Sequence, residues 1–295
     1  MVYTSNKARP VEGNFVERYN NFTSSKPQYW RNLVTSLVIH YEDEDLIAVS
    51  KPAGMLVHRT RIASGEGPFL LQQVRDLTGR YLYPVHRLDR PTSGILLFAT
   101  SPDSARALSE SFRNNAVRKS YIAIIRGWPE EKGSIDSPLG RPSEDIPGKP
   151  AARGNAQKDA FTEYMRLATV ELPYAVFKHP TSRYSLVRVH PLTGRRHQIR
   201  KHLRRISHPV IGDVEYGDGR HNRFFRNQFG IRRLLLHAES ISLRHPATGE
   251  ALTITSPPPG EFEILARSFG WNPSLLVARE EDQTAWKHPE RGTSN

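Results

Sequence analysis

The sequence predicts an α+β fold in which a central mixed, largely antiparallel sheet is flanked by helices. Three observations lead there. Short apolar segments of strand length recur through the middle of the chain, helical periodicity appears between only some of them, and no strand-helix-strand unit repeats. Self-similarity at a period of roughly 20–50 residues is also missing, which excludes solenoids and propellers. With 295 residues and 37% hydrophobic content, the chain is long enough to bury a core.

The elements follow in order. Residues 37–41 and 46–49 read as two strands around the acidic turn Glu42-Asp43-Glu44-Asp45, and a Pro-Ala-Gly loop follows at 52–54. Leu70, Val74 and Leu77 repeat at helical spacing, and Gly79 suits the left-handed position that closes a helix. Ser101 is placed to cap a second helix, with Pro102 at its first position and Ala105, Leu108 and Phe112 on one face. Further strands are expected at 95–99, 121–125, 160–167, 184–189, 234–236 and 252–254. The stretch 138–157 holds four prolines and no periodicity, so it reads as a long surface loop. Residues 1–36 are expected to form an N-terminal extension, 37–278 the folded domain, and the polar stretch 279–295 a flexible tail.

Charge narrows the partner. Forty-two Lys and Arg against 30 Asp and Glu leave a net charge of +12, which favours a polyanion such as nucleic acid. With no cysteine, disulfides, thiolate metal sites and cysteine nucleophiles are excluded. No apolar run approaches the roughly 18 residues of a membrane span, and the first residues are too polar for a signal peptide. No membrane partner and a cytoplasmic location are expected.

The densest chemical signal is His86-Arg87-Leu88-Asp89-Arg90-Pro91-Thr92-Ser93-Gly94, which sets one carboxylate between two arginines. Guanidinium neighbours keep a carboxylate ionised, as a nucleophile or base requires. The same residues also fit a surface turn whose Asp merely caps or pairs, and charge pattern alone leaves both open. A second signal runs from 188 to 205, where seven Lys or Arg and three His occur with no acid. Within it, Gly194 opens a helix with Ile199, Leu203 and Ile206 as its apolar stripe, leaving His197, Arg200, Lys201 and Arg204 as a basic face fit for phosphates. Downstream, Phe224, Phe225 and Phe229 alternate with Arg220, Arg223, Arg226, Arg232 and Arg233, a mixture that suits RNA. His197 and His202 are five apart and no His-Glu-x-x-His occurs, so no metal is expected.

His-Arg-Leu-Asp-x-x-Thr-Ser-Gly at 86–94 closely resembles the catalytic motif of RluA-type pseudouridine synthases. Other segments match in the family's order: Asp45 to Gly54, Lys119-Ser-Tyr121, Thr193 to Arg200, His208 to Asp213, and Leu235-Leu-His237. The resemblance implies the family's catalytic domain, with a cleft, and RNA as partner. It implies Asp89 as the essential carboxylate, Tyr121 against the uracil ring with a share in removing the C5 proton, and Arg200 as ion-pair partner of Asp89. Arg87 would fill the space left by a flipped base, and Arg195, Arg196, His197, Lys201 and Leu235 would contact RNA or substrate. Segments 166–171, 216–222 and 229–235 resemble a subgroup that modifies uridine 65 of tRNA, and a monomer is expected here. The reaction is an isomerisation with no net oxidation, so no cofactor is expected. A pseudouridine synthase acting on another tRNA or rRNA uridine is the alternative, a non-catalytic RNA-binding protein is the rival class, and a glycoside hydrolase using the acidic turn as second carboxylate is a third.

Overall fold

The computed structural model describes residues 37–58, 69–140 and 157–278. The expected extension, the tail and most of the proline-rich loop lie outside the described residues. In chain order the elements are β1 (Ile39–Glu42), β2 (Leu46–Lys51), α1 (Leu70–Thr78), β3 (Tyr83–Pro84), β4 (Ser93–Ala99), α2 (Pro102–Arg113), β5 (Arg118–Arg126) and β6 (Lys132–Asp136). They continue with β7 (Phe161–Leu172), β8 (Ser182–Pro191), α3 (Gln198–Arg205), α4 (Gly219–Phe229), β9 (Leu236–Arg244), β10 (Ala251–Thr255), α5 (Gly260–Ser268) and a 3-10 turn at Pro273–Leu276. No described helix is long and apolar enough to cross a membrane.

One sheet runs β1-β2-β4-β9-β5-β8-β7-β6, with β3 on β4 and β10 on β9. Every pairing is antiparallel except β4 with β9. This is the mixed, largely antiparallel α+β sheet that the sequence predicts. Its central strands bury both faces, which is why they read as continuous apolar runs rather than alternating ones. On β4, Leu96 and Phe98 pack with Leu70, Val74 and Leu77 of α1, whereas Ile95 and Leu97 pack with Leu108 of α2. On β5, Ile122 and Ile124 meet Phe225 of α4 and Phe262 of α5, whereas Ala123 and Ile125 meet Ile199 and Leu203 of α3.

Local signals place the first two helices. Gly79 closes α1 at φ 67°, and Ser101 accepts the Ser104 N–H to cap α2, with Pro102 in its first turn. Elsewhere tertiary packing overrides the pattern. Strand β9 begins where the apolar segment 234–236 ends and continues through His237, Glu239, Ser240 and Ser242. Those polar residues are tolerated inside because they are paired. Glu239 accepts from Arg188 at 2.6 Å and from Ser120 at 2.7 Å, and His237 lies 2.8 Å from Ser93 Oγ. The arginine-aromatic run is helix α4, capped by Asp218. Its Phe225 is fully buried and Phe224 and Phe229 pack against the same core, so these rings meet one another and Phe269 edge-on or tilted instead of facing RNA.

The seam at β9 positions everything that follows. Ala238 pairs with Gly94 on one side and with Tyr121 on the other, so the end of the Asp89 motif and the tyrosine strand lie in one row. Gly94 has φ 116°, and a Cβ there would stand 2.2 Å from the Ala238 carbonyl oxygen. Only glycine lets the backbones approach so closely. Gly94→Ala is therefore expected to destabilise the fold by about 3 kcal/mol through strain and overpacking, read as a lower midpoint in urea; an unchanged midpoint would count against this seam.

Candidate active site

The motif loop is fixed from beneath. His86 Nε2 accepts the Leu97 N–H at 2.9 Å and its ring stacks on Phe112. Burial, with Lys119 nearby, pushes its pKa down to about 3, so it serves as a neutral acceptor. Leu88 is buried in the α1 core, and a bond from Thr92 N–H to the Asp89 carbonyl closes the turn at 3.0 Å. The Pro-Ala-Gly loop latches onto that turn. Gly54 N–H donates to the Arg90 carbonyl at 2.8 Å, and Arg90 Nε donates back to the Gly54 carbonyl at 3.0 Å. Lys51, 1% exposed, donates to the carbonyls of Pro52, Met55 and Arg90. Burial, with Arg233 and Arg90 adding to it against Asp89, pushes Lys51 down to about 7. Its three acceptors nonetheless suit the three N–H groups of the ammonium form.

The facing wall is the turn from β8 into α3. Gln198 organises it: its Oε1 accepts from Thr193 Oγ1 at 2.7 Å and from Arg195 N–H at 2.9 Å, and its Nε2 donates to the Phe161 carbonyl and Thr162. This turn swings His197 into a left-handed conformation at φ 57° and aims Arg200 inward. Arg200 donates from Nε and Nη2 to the two oxygens of Asp213 at 2.6 and 2.8 Å, while Nη1 lies 3.5 Å from Asp89 Oδ2. The fork on Asp213 is the stronger bond, and it leaves one edge of the guanidinium for Asp89. Burial opposes the charge on Asp213, yet the hydrogen bonds and charge of Arg200 outweigh it and hold that carboxyl below its ordinary range.

Tyr121 closes the third side. Its ring packs against two core clusters, and its hydroxyl has no hydrogen-bond partner among the described residues. Burial, reinforced by the Asp89 charge, pushes the phenol up, so it remains protonated. The result is an open cleft of about 430 Å³, a volume that accommodates a small ring system. Asp89, Tyr121, Arg200, Arg87, Arg195, Arg196 and His197 all line it. Arg87, Arg195 and Arg196 are exposed at its rim, a cationic border to a pocket with a carboxylate at its floor.

Two expectations are corrected. Lys201 does not line the cleft; it is 3% exposed and donates to the Gly140 carbonyl, in the segment that follows β6. Of the expected basic face only Arg204 is exposed on the helix, since Arg200 and Lys201 both turn inward. Leu235 lies in the core with Phe225 and Phe262, and the next residue, Leu236, borders the cleft, as alternation along an extended chain requires. The acidic turn at 42–45 stands apart from the cleft, with Asp43 taken up by Tyr41, His245 and the Asp45 and Leu46 N–H groups. Lys119, Asp213, Glu215 and Tyr216 belong to the site or support it; Lys119, Asp213 and Tyr216 stand in motifs quoted above without a role of their own, and Glu215 stands in none.

A sheet of this topology with an Asp-Arg pair in a cation-rimmed cleft defines a pseudouridylate synthase domain. The chain belongs to the RNA pseudouridylate synthase family, which it matches over residues 45–205. It is 47% identical to tRNA pseudouridine synthase C of Pasteurella multocida over 237 residues, covering 80% of this chain and 98% of that protein. The corresponding protein of Vibrio cholerae is 45% identical, over 82% of this chain and 99% of its own length. Among solved structures, human RNA Pseudouridylate Synthase Domain Containing 1 superimposes with a TM-score of 0.61 at 26% identity, covering 85% of this chain and 94% of the human one.

Removing the Asp213 charge strands Arg200 in the interior. Asp213→Asn is expected to cost about 3 kcal/mol near neutral pH. The native carboxyl lies below its ordinary 3.8, so its stabilisation is present above that pH and is lost as pH falls through the lower native value. Urea titrations across pH 2–7 would show a shallower acid limb in the variant, and parallel limbs in the two proteins would refute the assignment.

Proposed function

We propose that this chain converts uridine 65 of tRNA to pseudouridine, acting as a monomer on tRNA in the cytoplasm. The observation that carries the reading is the cleft itself, where Asp89 lies 3.5 Å from the buried Arg200 with Tyr121 opposite. Identity above 40% to proteins named tRNA pseudouridine synthase C, along nearly their whole length, supports tRNA as the substrate class.

A uridine stacked in RNA hides its glycosidic bond, so the base must leave the stack to reach Asp89. Arg87, exposed on the motif loop, is placed to occupy the vacated stack. Arg195 and Arg196 stand on the rim where phosphates flank the flipped nucleotide. Tyr121 supplies a flat wall for uracil. Arg200, 3.5 Å away, holds Asp89 directed at the sugar while N1 leaves C1′ and C5 takes its place. Each bond broken is replaced within the same nucleotide, so the chain needs no redox partner.

Asp89→Asn should retain tRNA binding within about threefold and lose at least ~10³ in turnover. Carbodiimide mapping of tRNA from a deletion strain checks the target: the modification should return with the wild-type gene and not with the variant. Return with both would end the mechanism, and loss at another uridine would end the position.

A further inference from the structure

Behind the motif loop, on the face of the sheet away from the cleft, lies a second cavity of about 580 Å³. The row of Gly94, Ala238 and Tyr121 turns its side-chain positions to the cleft, so the neighbouring row of Ser93, His237 and Ile122 faces the other way. Lys51 at the end of β2 and Ser93 at the start of β4 border this cavity, which therefore shares the Asp89 loop with the cleft.

Its polar groups stand in a fixed order. His237 Nε2 lies 3.0 Å from the Ser256 carbonyl, which can only accept, so the ring proton sits on Nε2. Nδ1 then accepts the Ser93 Oγ–H at 2.8 Å, and Ser93 Oγ in turn accepts from Arg233 Nη2 at 2.6 Å. Burial pushes the imidazole down to about 4, so it is neutral near pH 7 and offers no counter-charge. Arg233 Nε donates to the Leu234 carbonyl at 3.1 Å, and Nη1 has no hydrogen-bond partner among the described residues.

Three cations border the cavity, Lys51, Arg232 and Arg233, against the one carboxylate of Glu261. Arg232 is exposed, Arg233 is half-buried, and Lys51 lies beneath with its N–H groups on backbone carbonyls. Neither Arg233 nor Lys51 forms an ion pair among the described residues. Burial weighs against both charges, and Arg233 adds to the burden on Lys51. A clamp on Ser93 would need only a neutral donor, whereas two neighbouring cations held away from water call for an anion.

We propose that this cavity is a second anion site, one that takes a phosphate group with Arg233 and Arg232 as its donors, on the face opposite the catalytic cleft. Forked guanidinium N–H groups suit phosphate oxygens. An anion there offsets Arg233 and Lys51 together, and these two hold the Asp89 loop from behind, through Ser93 and through the Arg90 carbonyl. The inference does not rest on the uridine reading. A backbone phosphate of bound tRNA and a free phosphate offer the same chemistry, and the experiment separates them.

Backbone amide shifts of Ser93, Ile231 and Arg233 in the isotopically labelled full chain should move as inorganic phosphate replaces chloride at constant ionic strength. Arg233→Gln should abolish the movement and Arg232→Gln should weaken it several-fold; the second variant, at an exposed residue, decides the matter if the first does not fold. If the phosphate belongs to tRNA, the variants also bind tRNA about tenfold more weakly at low salt, and the slope of log affinity against log salt falls by about 1. If it is free, tRNA affinity and slope stay at wild-type values while the phosphate response is lost. Amides that stay still in wild type, with unaltered tRNA affinity and slope in the variants, would overturn the site. So would a phosphate response that persists undiminished in the variants. Turnover of Asp89→Asn bears on the uridine reading and on neither of these measurements.

Discussion

The site depends on one buried cation. Arg200 is 3% exposed, and a guanidinium so far from water is tolerated only if its donors are met by opposite charge. Asp213 meets two of them and Asp89 stands at a third. The apolar stripe of α3 on β5 and β8, the Gln198 turn and the return of the chain at Asp213 all serve to hold that guanidinium in place. Asp89 gains a partner 111 residues away, while Arg87 stands at the rim and Arg90 turns its Nε to Gly54.

A second constraint is the row of Gly94, Ala238 and Tyr121 across three strands. Close approach of β4 to β9 leaves no room for a Cβ at Gly94, and it draws the motif turn up to the tyrosine strand. Lys51 completes the frame by tying the Pro-Ala-Gly loop to the Arg90 carbonyl. The rigid parts lie beneath the cleft and the cationic, solvent-facing parts around it, a division that suits a pocket receiving a nucleotide from a larger polyanion.

Elements whose signals are local were legible in the sequence. Ser101 and Gly79 mark helix ends by hydrogen bonding and backbone conformation that a few residues decide, and β4 and β5 announce themselves by apolar runs. Strand β9 was less so, because its buried polar residues find partners on β4, β5 and β8. Helix α4 reads as a basic, aromatic stretch because its core face is built of phenylalanines and its outer face of arginines. Phe225 inside and Arg223 and Arg226 outside are separated only by winding the segment into a helix.

The sequence by itself determined the fold class, the Asp89 motif and the basic character of the segment around Arg200, because residue type and short-range spacing carry those. Tertiary structure alone decided which cation serves Asp89, that Lys201 and Leu235 turn away from the cleft, and that Arg233 reaches the back of the motif loop through Ser93. The reason is physical. Burial and charge pairing are set by groups distant along the chain, and a side chain's direction on a short wedged helix depends on what packs against it.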